Sequence, residues 1–235
     1  MNTKDKLLAQ KIYFILGGLF IASLVVSNLI FQKFFYWHPF GEVTILGAKL
    51  FEISVGIIPY PITFLVTDII SEIYGKKKAN QVVTTGIFAS IFSLLIIFIA
   101  NEVPAIESSP ITNELFSKVF GQTALAVLAS MTAYLFAQYI DIRVYHFWKK
   151  LTKGKMLWLR NNFSTITSQA IDTFSVLFLL CSFNILPWEI FGKLFISGFA
   201  FKVIIALFDT PFMYLAVYLF RKKFKLNPND ELLID

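Results

Sequence analysis

The sequence predicts an all-α, polytopic membrane protein of six transmembrane helices. Three observations carry that expectation: 57% of its 235 residues are hydrophobic, only 15% are charged, and the apolar residues fall into long runs separated by short charged links. Such an apolar share exceeds that of soluble domains. A bilayer core of about 30 Å is crossed by roughly 20 apolar residues in a helix. One transmembrane domain, 1–235, is expected to use the whole length.

The first run, 12–31, follows Lys4, Lys6 and Lys11. It has the basic start of a signal peptide but is longer than a typical signal core, which reads as an uncleaved first helix. A polar-aromatic link, 32–52, follows, hairpin-like around Leu46-Gly47. The second run, 53–74, contains Pro59-Tyr60-Pro61, which is expected to bend or break it. Further spans are expected at 82–100, 120–140, 163–183 and 191–220, the last long enough to tilt or project. Between the third and fourth, Ser109-Pro110 reads as a helix cap and first-turn proline, opening a short amphipathic helix through Val119 at the membrane surface.

The formal charge is +6. A nucleic-acid binder gathers such charge on a water-exposed face. Here it sits at helix ends, which argues for a lipid bilayer and against a nucleic-acid partner. Lys4, Lys6 and Lys11, the lysines at 76–78, the basic residues of 143–160 and Arg221 to Lys225 hold most of the 21 Lys and Arg. They fall on alternate links, so both termini and the 143–160 link are expected in the cytoplasm. The single cysteine, Cys181, excludes an internal disulfide and a cysteine-rich metal site and reads as packing. His38 and His146 are isolated, and no metal or other cofactor is expected.

Asp68, Glu72, Asp172, Lys202 and Asp209 lie inside apolar runs. Each costs several kcal/mol at mid-membrane unless it faces protein, water or a partner. Glu72, close to the lysines at 76–78, fits the cytoplasmic interface equally well. Asp68 and Glu72 share a helix face, with Thr63 and Thr67 on the adjacent stripe. Thr165, Ser168, Gln169 and Asp172 follow i, i+3, i+4, i+7 spacing, leaving phenylalanines opposite for lipid. Lys202 and Asp209 lie on one stripe, two turns apart, and are expected to act as a coupled pair; Asp172 is the leading alternative partner for Lys202. These groups either lock helices together or line a cavity. Four acids against one lysine favour a cavity completed by protons, a cation or a donor-rich solute. Gln138, Asp141 and Arg143 precede the basic link, where Asp141 and Arg143 form either a local ion pair or a gate. Trp148 and Trp158 suit an interfacial belt.

The stretch from Pro61 through Thr67, Asp68, Ser71 and Glu72 to Gly75 resembles the signature of the queuosine precursor transporters, also called the VUT or YhhQ-like family. So do Gln138-Tyr-Ile-Asp141 through Tyr145, then Trp158-Leu-Arg160-Asn161-Asn162 through Thr165, Gln169-Ala-Ile-Asp172-Thr173, Lys202-Val and Thr210-Pro211, in that order. The resemblance spans about 28–218. It implies a bacterial inner-membrane importer of a small-molecule 7-deazaguanine, such as 7-cyano-7-deazaguanine, its aminomethyl analogue or queuine, for tRNA queuosine salvage.

On that reading Asp68, Thr67, Glu72, Asn162, Gln169, Asp172, Lys202 and Asp209 line the substrate site. Gln138, Asp141, Arg143, Arg160, Pro59 and Pro61 serve as gate or structural residues. A guanine-like edge offers adjacent N–H donors to a carboxylate such as Asp68 or Asp172. Gln169 and Asn162 suit the carbonyl edge, while Tyr60 or Phe64 can stack on the base. Two halves of three helices would be oppositely oriented, an arrangement resembling a 3+3 inverted repeat with Asp68 and Asp172 in corresponding places.

The rival reading is a substrate-binding subunit of a larger energised vitamin or nucleobase transporter, docked through Gly18 and Ala22. An intramembrane enzyme lacks any nucleophile-base motif or metal spacing. No nucleotide-binding loop is present, so transport is either facilitated or proton-coupled.

Overall fold

The charged residues flanking each apolar run are mostly good helix formers, so helices continue past the point where hydropathy fades. The structure, a computed structural model, describes residues 3–31, 33–37, 41, 44–45, 48–49, 52–121, 124–184, 186–227 and 230–234. Seven α-helices are found among the described residues: α1 (Thr3–Ile30), α2 (Tyr60–Ile73), α3 (Gly75–Glu102), α4 (Asn113–Phe120), α5 (Ala124–Leu151), α6 (Leu157–Ser182) and α7 (Phe191–Phe224). The expected all-α class holds. Most helices outrun their apolar runs at the charged end: α1 begins at Thr3 rather than 12, α3 at Gly75 rather than 82, and α5 ends at Leu151 rather than 140.

Two expectations on the chain's local structure need correction. Residues 53–57 are not α-helical. Strand β4 (Glu52–Ser54) runs into a 3-10 turn at Val55–Ile57, capped by Ser54 Oγ accepting from the Gly56 amide at 3.1 Å. Pro59 and Pro61 then start α2 instead of breaking it, because first-turn residues need no N–H for the helical ladder. Likewise Thr112, not Ser109, caps the short surface helix, accepting from Leu115 N at 3.2 Å. Ser109 instead donates to the Ile111 carbonyl at 2.7 Å in the preceding turn.

The link after α1 forms two antiparallel strand pairs. β1 (Phe34–Tyr36) pairs with β4, and β2 (Thr44–Ile45) with β3 (Ala48–Lys49), which closes the expected hairpin; Leu46 and Gly47 themselves lie outside the described residues. The β1–β4 pair packs on α7. Ile53 and Phe201 are buried together with Phe35, Trp37 and Ile57 around them, and the Trp37 and Phe201 rings meet edge-on at 5.2 Å.

The short helix α2 occupies the middle, touching α1, α3, α5 and α7, with ten of its 14 residues buried. Its hydrogen bonds and those of its neighbours bring the basic segments to one end: Tyr74 donates to Ala9 O, Tyr13 to Lys78 O, and Arg160 and Arg221 to Glu72. We call this the basic end. The strand pairs, α4 and the start of α2 lie at the far end, tied there by Ser27 donating to Gly56 O and Ser117 to Asn101.

Phe14, Phe88, Phe98, Phe178 and Phe208 project outward. An apolar surface of that extent is unsuited to water and suited to lipid. Five stretches are long and apolar enough to cross a membrane: Thr3–Ile30, Val55–Ile73, Gly75–Glu102, Leu157–Ser182 and Trp188–Phe224. The fold is therefore that of a multi-pass membrane protein.

Candidate functional site

The polar residues of α2 and α6 meet in antiparallel order. As α2 advances from Tyr60 to Asp68 to Glu72, the partners on α6 step back from Asp172 to Thr165 to Arg160. Three polar layers result, spread over about 18 Å at 1.5 Å per residue.

In the layer nearest the far end, Lys202 Nζ on α7 donates to Asp172 Oδ2 at 2.6 Å and to Thr173 Oγ1 at 3.1 Å. The Tyr60 hydroxyl donates to the same Asp172 oxygen, and the Lys202 ammonium lies 4.7 Å from the centre of the Tyr60 ring. This overturns the expected Lys202–Asp209 pair. Seven residues along one helix leave the two side chains about 10 Å apart in rise, whereas the neighbouring helix offers Asp172 directly. Asp209 has no hydrogen-bond or ion-pair partner among the described residues. It lines a narrow cleft with Tyr60, Phe64, Gln169 and Lys202. The cleft holds about 20 Å³, room for about one water molecule, so the site is closed in this conformation. Gln169 Oε1 is buried and unpartnered.

In the middle layer, Asp68 of α2 and Asp141 of α5 are 2% and 0% exposed. Their carboxyls lie within hydrogen-bonding reach of each other. Thr165 donates to Asp68 Oδ2 at 3.2 Å and Ser168 to Asp141 Oδ1 at 2.9 Å. Beside them Thr67 donates to Gln138 Oε1 at 3.3 Å, and Gln138 Nε2 to the Tyr134 hydroxyl at 2.8 Å. Arg143 is exposed and takes no part, which corrects the notion of a local Asp141–Arg143 ion pair. Two residues apart on a helix, they point to opposite sides.

The third layer closes the basic end. Glu72, 1% exposed, accepts from Arg160 Nη2 at 2.6 Å, from Arg221, and from the Tyr145 hydroxyl at 3.0 Å. Lys149 lies 3.5 Å from the same carboxylate, donates to the Glu72 carbonyl at 3.1 Å and pairs with Glu231 at 3.2 Å. The tail beyond α7 straps this layer, with Leu232 N donating to Ile73 O at 2.7 Å and Leu232 and Ile234 buried. Glu72 is thus buried in the charged layer at the basic end and does not line the cleft. Asn162 also lies away from the cleft, donating to Trp158 O and to Thr210 Oγ1, both at 2.8 Å.

A larger cavity of about 440 Å³ lies between α1 and α3, lined by Val25, Leu29, Ile91, Leu95 and Phe98, with no charged group on its walls among the described residues. Its chemistry suits acyl chains, so the polar layers remain the candidate site.

Residues 54–216 match the family described as "Putative vitamin uptake transporter". The chain belongs to this transporter family. It is also 30% identical over 227 residues to a Bacillus subtilis (strain 168) protein named "Probable queuosine precursor transporter", covering 90% of this chain and 94% of that relative. No solved structure matches. The family is one of transporters and not of enzymes.

Proposed function

We propose that this vitamin uptake transporter family member imports 7-deazaguanine precursors of queuosine across the bacterial inner membrane. The observation that carries this reading is the likeness, over nearly the whole of both chains, to the Bacillus subtilis relative bearing that name. The cleft supports it chemically. Asp209 offers an uncommitted carboxylate to the adjacent N–H donors of a guanine-like edge, while Gln169 offers an unpartnered amide oxygen and an amide donor. Tyr60 and Phe64, with rings 5.4 Å apart, supply the apolar face for a flat base. Asp172 is already engaged by Lys202 and Tyr60, and steadies both beside the base.

On this reading α5 is the sixth span and the basic end faces the cytoplasm, with both termini inside. A cysteine replacing Lys153 is expected to react with impermeant thiol reagents only from inside, and one replacing Ser109 only from outside. The reverse pattern would refute the orientation.

The substrate reading is tested by uptake of labelled 7-deazaguanines into cells lacking other importers. Uptake is expected to be blocked by unlabelled 7-deazaguanines and not by unrelated vitamins. Asp209→Asn is expected to weaken apparent affinity about 10- to 100-fold, the worth of about 1.5–3 kcal/mol for hydrogen bonds to a charged acceptor. Unchanged uptake in that variant would remove Asp209 from the site.

A further inference from the structure

We propose that Asp68 and Asp141 form a proton-binding site that couples solute movement to proton entry, a reading that rests on the carrier function proposed above.

The two carboxyls arrive from different helices, α2 and α5, and face each other in the protein interior. One oxygen of each has a hydroxyl donor, from Thr165 and Ser168. The other oxygens, Asp68 Oδ1 and Asp141 Oδ2, are buried with no hydrogen-bond partner among the described residues. Among the described residues the nearby cations are committed elsewhere: Lys202 to Asp172, and Lys149, Arg160 and Arg221 to Glu72. The remaining titratable groups around the pair are Tyr134 and Tyr145 of α5, Glu72 of α2 and Asp209 of α7, none of which brings positive charge.

Two touching carboxylates in a poorly solvated site repel strongly and leave both free oxygens unsatisfied. One proton removes both faults, because it converts the repulsion into a short O–H···O⁻ hydrogen bond between the two unpartnered oxygens. A hard metal cation would require about six oxygen ligands, and no cluster of three or more acidic, histidine or cysteine side chains meets here among the described residues.

Position connects this proton to transport. Thr165, the donor to Asp68, also lines the cleft together with Asp209, and Glu72 follows Asp68 by one helical turn. The pair thus sits between the solute cleft and the charged layer that closes the basic end. Any motion that parts α2 from α5 separates the two carboxyls, admits water and releases the bound proton to that water as hydronium. Reclosure requires a proton to be taken up again. Entry of the proton from one face and release at the other drives the solute in the same direction.

The test uses the full chain in proteoliposomes. Infrared spectroscopy of wild type at neutral pH is expected to show one protonated carboxylic acid C=O band that is lost in both Asp68→Asn and Asp141→Asn. With labelled 7-deazaguanine, an acid-outside gradient is expected to raise accumulation at least tenfold over no gradient, without sodium. Whatever uptake persists in the two variants is expected not to respond to the gradient. A wild type without the acid band, a band untouched by both substitutions, or accumulation driven by a sodium gradient and not by protons would overturn the proposal. Wild-type vesicles that move no 7-deazaguanine yet show the band, lost in both variants, would refute the substrate reading and leave the proton site standing.

Discussion

Lys202→Met isolates the central electrostatic claim about the cleft. Lys202 and Asp172 approach at 2.6 Å with side chains 14% and 4% exposed, so the pair is largely desolvated. Removing the ammonium leaves Asp172 with the Tyr60 hydroxyl as its remaining donor and one carboxylate oxygen without any. Breaking one partner of a buried pair costs about 3–5 kcal/mol. For a chain of this length each kcal/mol moves the melting temperature by about 2–4 °C, so a fall of roughly 10 °C is expected. Asp172→Leu is expected to cost a similar amount by stranding the ammonium. The double variant removes both charges and is expected to lose less than the sum, with a coupling of about 1–3 kcal/mol. Melting in detergent, followed by intrinsic fluorescence, measures all three. The control is Lys202→Met with Asp209→Leu, whose losses are expected to add within about 0.5 kcal/mol. Additivity for the 202/172 pair, or strong coupling for the 202/209 pair, would refute the assignment.

Three further outcomes follow from the packing. Gly75 sits at φ +82° beside the Glu231 side chain, where an added Cβ collides with the carboxylate. Gly75→Ala is therefore expected to expel the C-terminal strap, seen as faster hydrogen exchange at 230–234, and to cost more than about 1 kcal/mol from the left-handed backbone alone. Gly56→Ala would bring a methyl within 2.6 Å of the Ser27 carbonyl and 2.8 Å of Phe31 Cβ, and is expected to lower the melting temperature by pushing the 3-10 turn off α1. Glu72→Gln is expected to lower stability by about 3 kcal/mol or more, because Arg160 and Arg221 lose their common anion, and to raise proteolytic cleavage after Arg221.

Much of this was legible in the sequence because bilayer physics writes it there. Apolar runs located the long helices, and the basic clusters that were expected on one side do converge at one end. The i, i+3, i+4, i+7 stripe from Thr165 to Asp172 is buried, with Phe163, Phe174 and Phe178 exposed. Helix ends were misread because hydropathy reports where lipid ends, not where the helix does; Lys76, Lys149 and Arg160 all belong to helices. The start of α2 was misread because a proline pair marks a helix beginning as readily as a break. The partners of Glu72 lie 88 and 149 residues away in sequence, and no local pattern announces such a meeting. One signal was available: Arg160, Ser164, Ser168 and Asp172 recur every fourth residue, a continuous polar stripe that turns Arg160 inward.

Charge balance separates the three layers by role. At the basic end one buried acid, Glu72, draws Arg160, Arg221 and Lys149, with Glu231 taking part of the excess. Such an overcompensated anion is bound from several elements at once, since Arg160 comes from α6, Arg221 from α7 and Lys149 from α5. Those three helices separate at this end only if the cations leave Glu72 and are rehydrated, so on the proposed carrier reading this layer acts as a latch. In the cleft the balance is one to one at Asp172 and Lys202, with Asp209 left over. A surplus anion beside an amide and two aromatic rings is what a donor-rich planar solute neutralises. The middle pair has two acids and no cation among the described residues, a deficit that no neutral solute in the cleft corrects and that the proposed proton would. A solute arriving in the cleft changes the surroundings of Thr165, the one side chain that lines the cleft and also donates to Asp68. On this reading occupancy of the cleft is sensed by the acid pair, and the state of the acid pair bears on the latch one helical turn away.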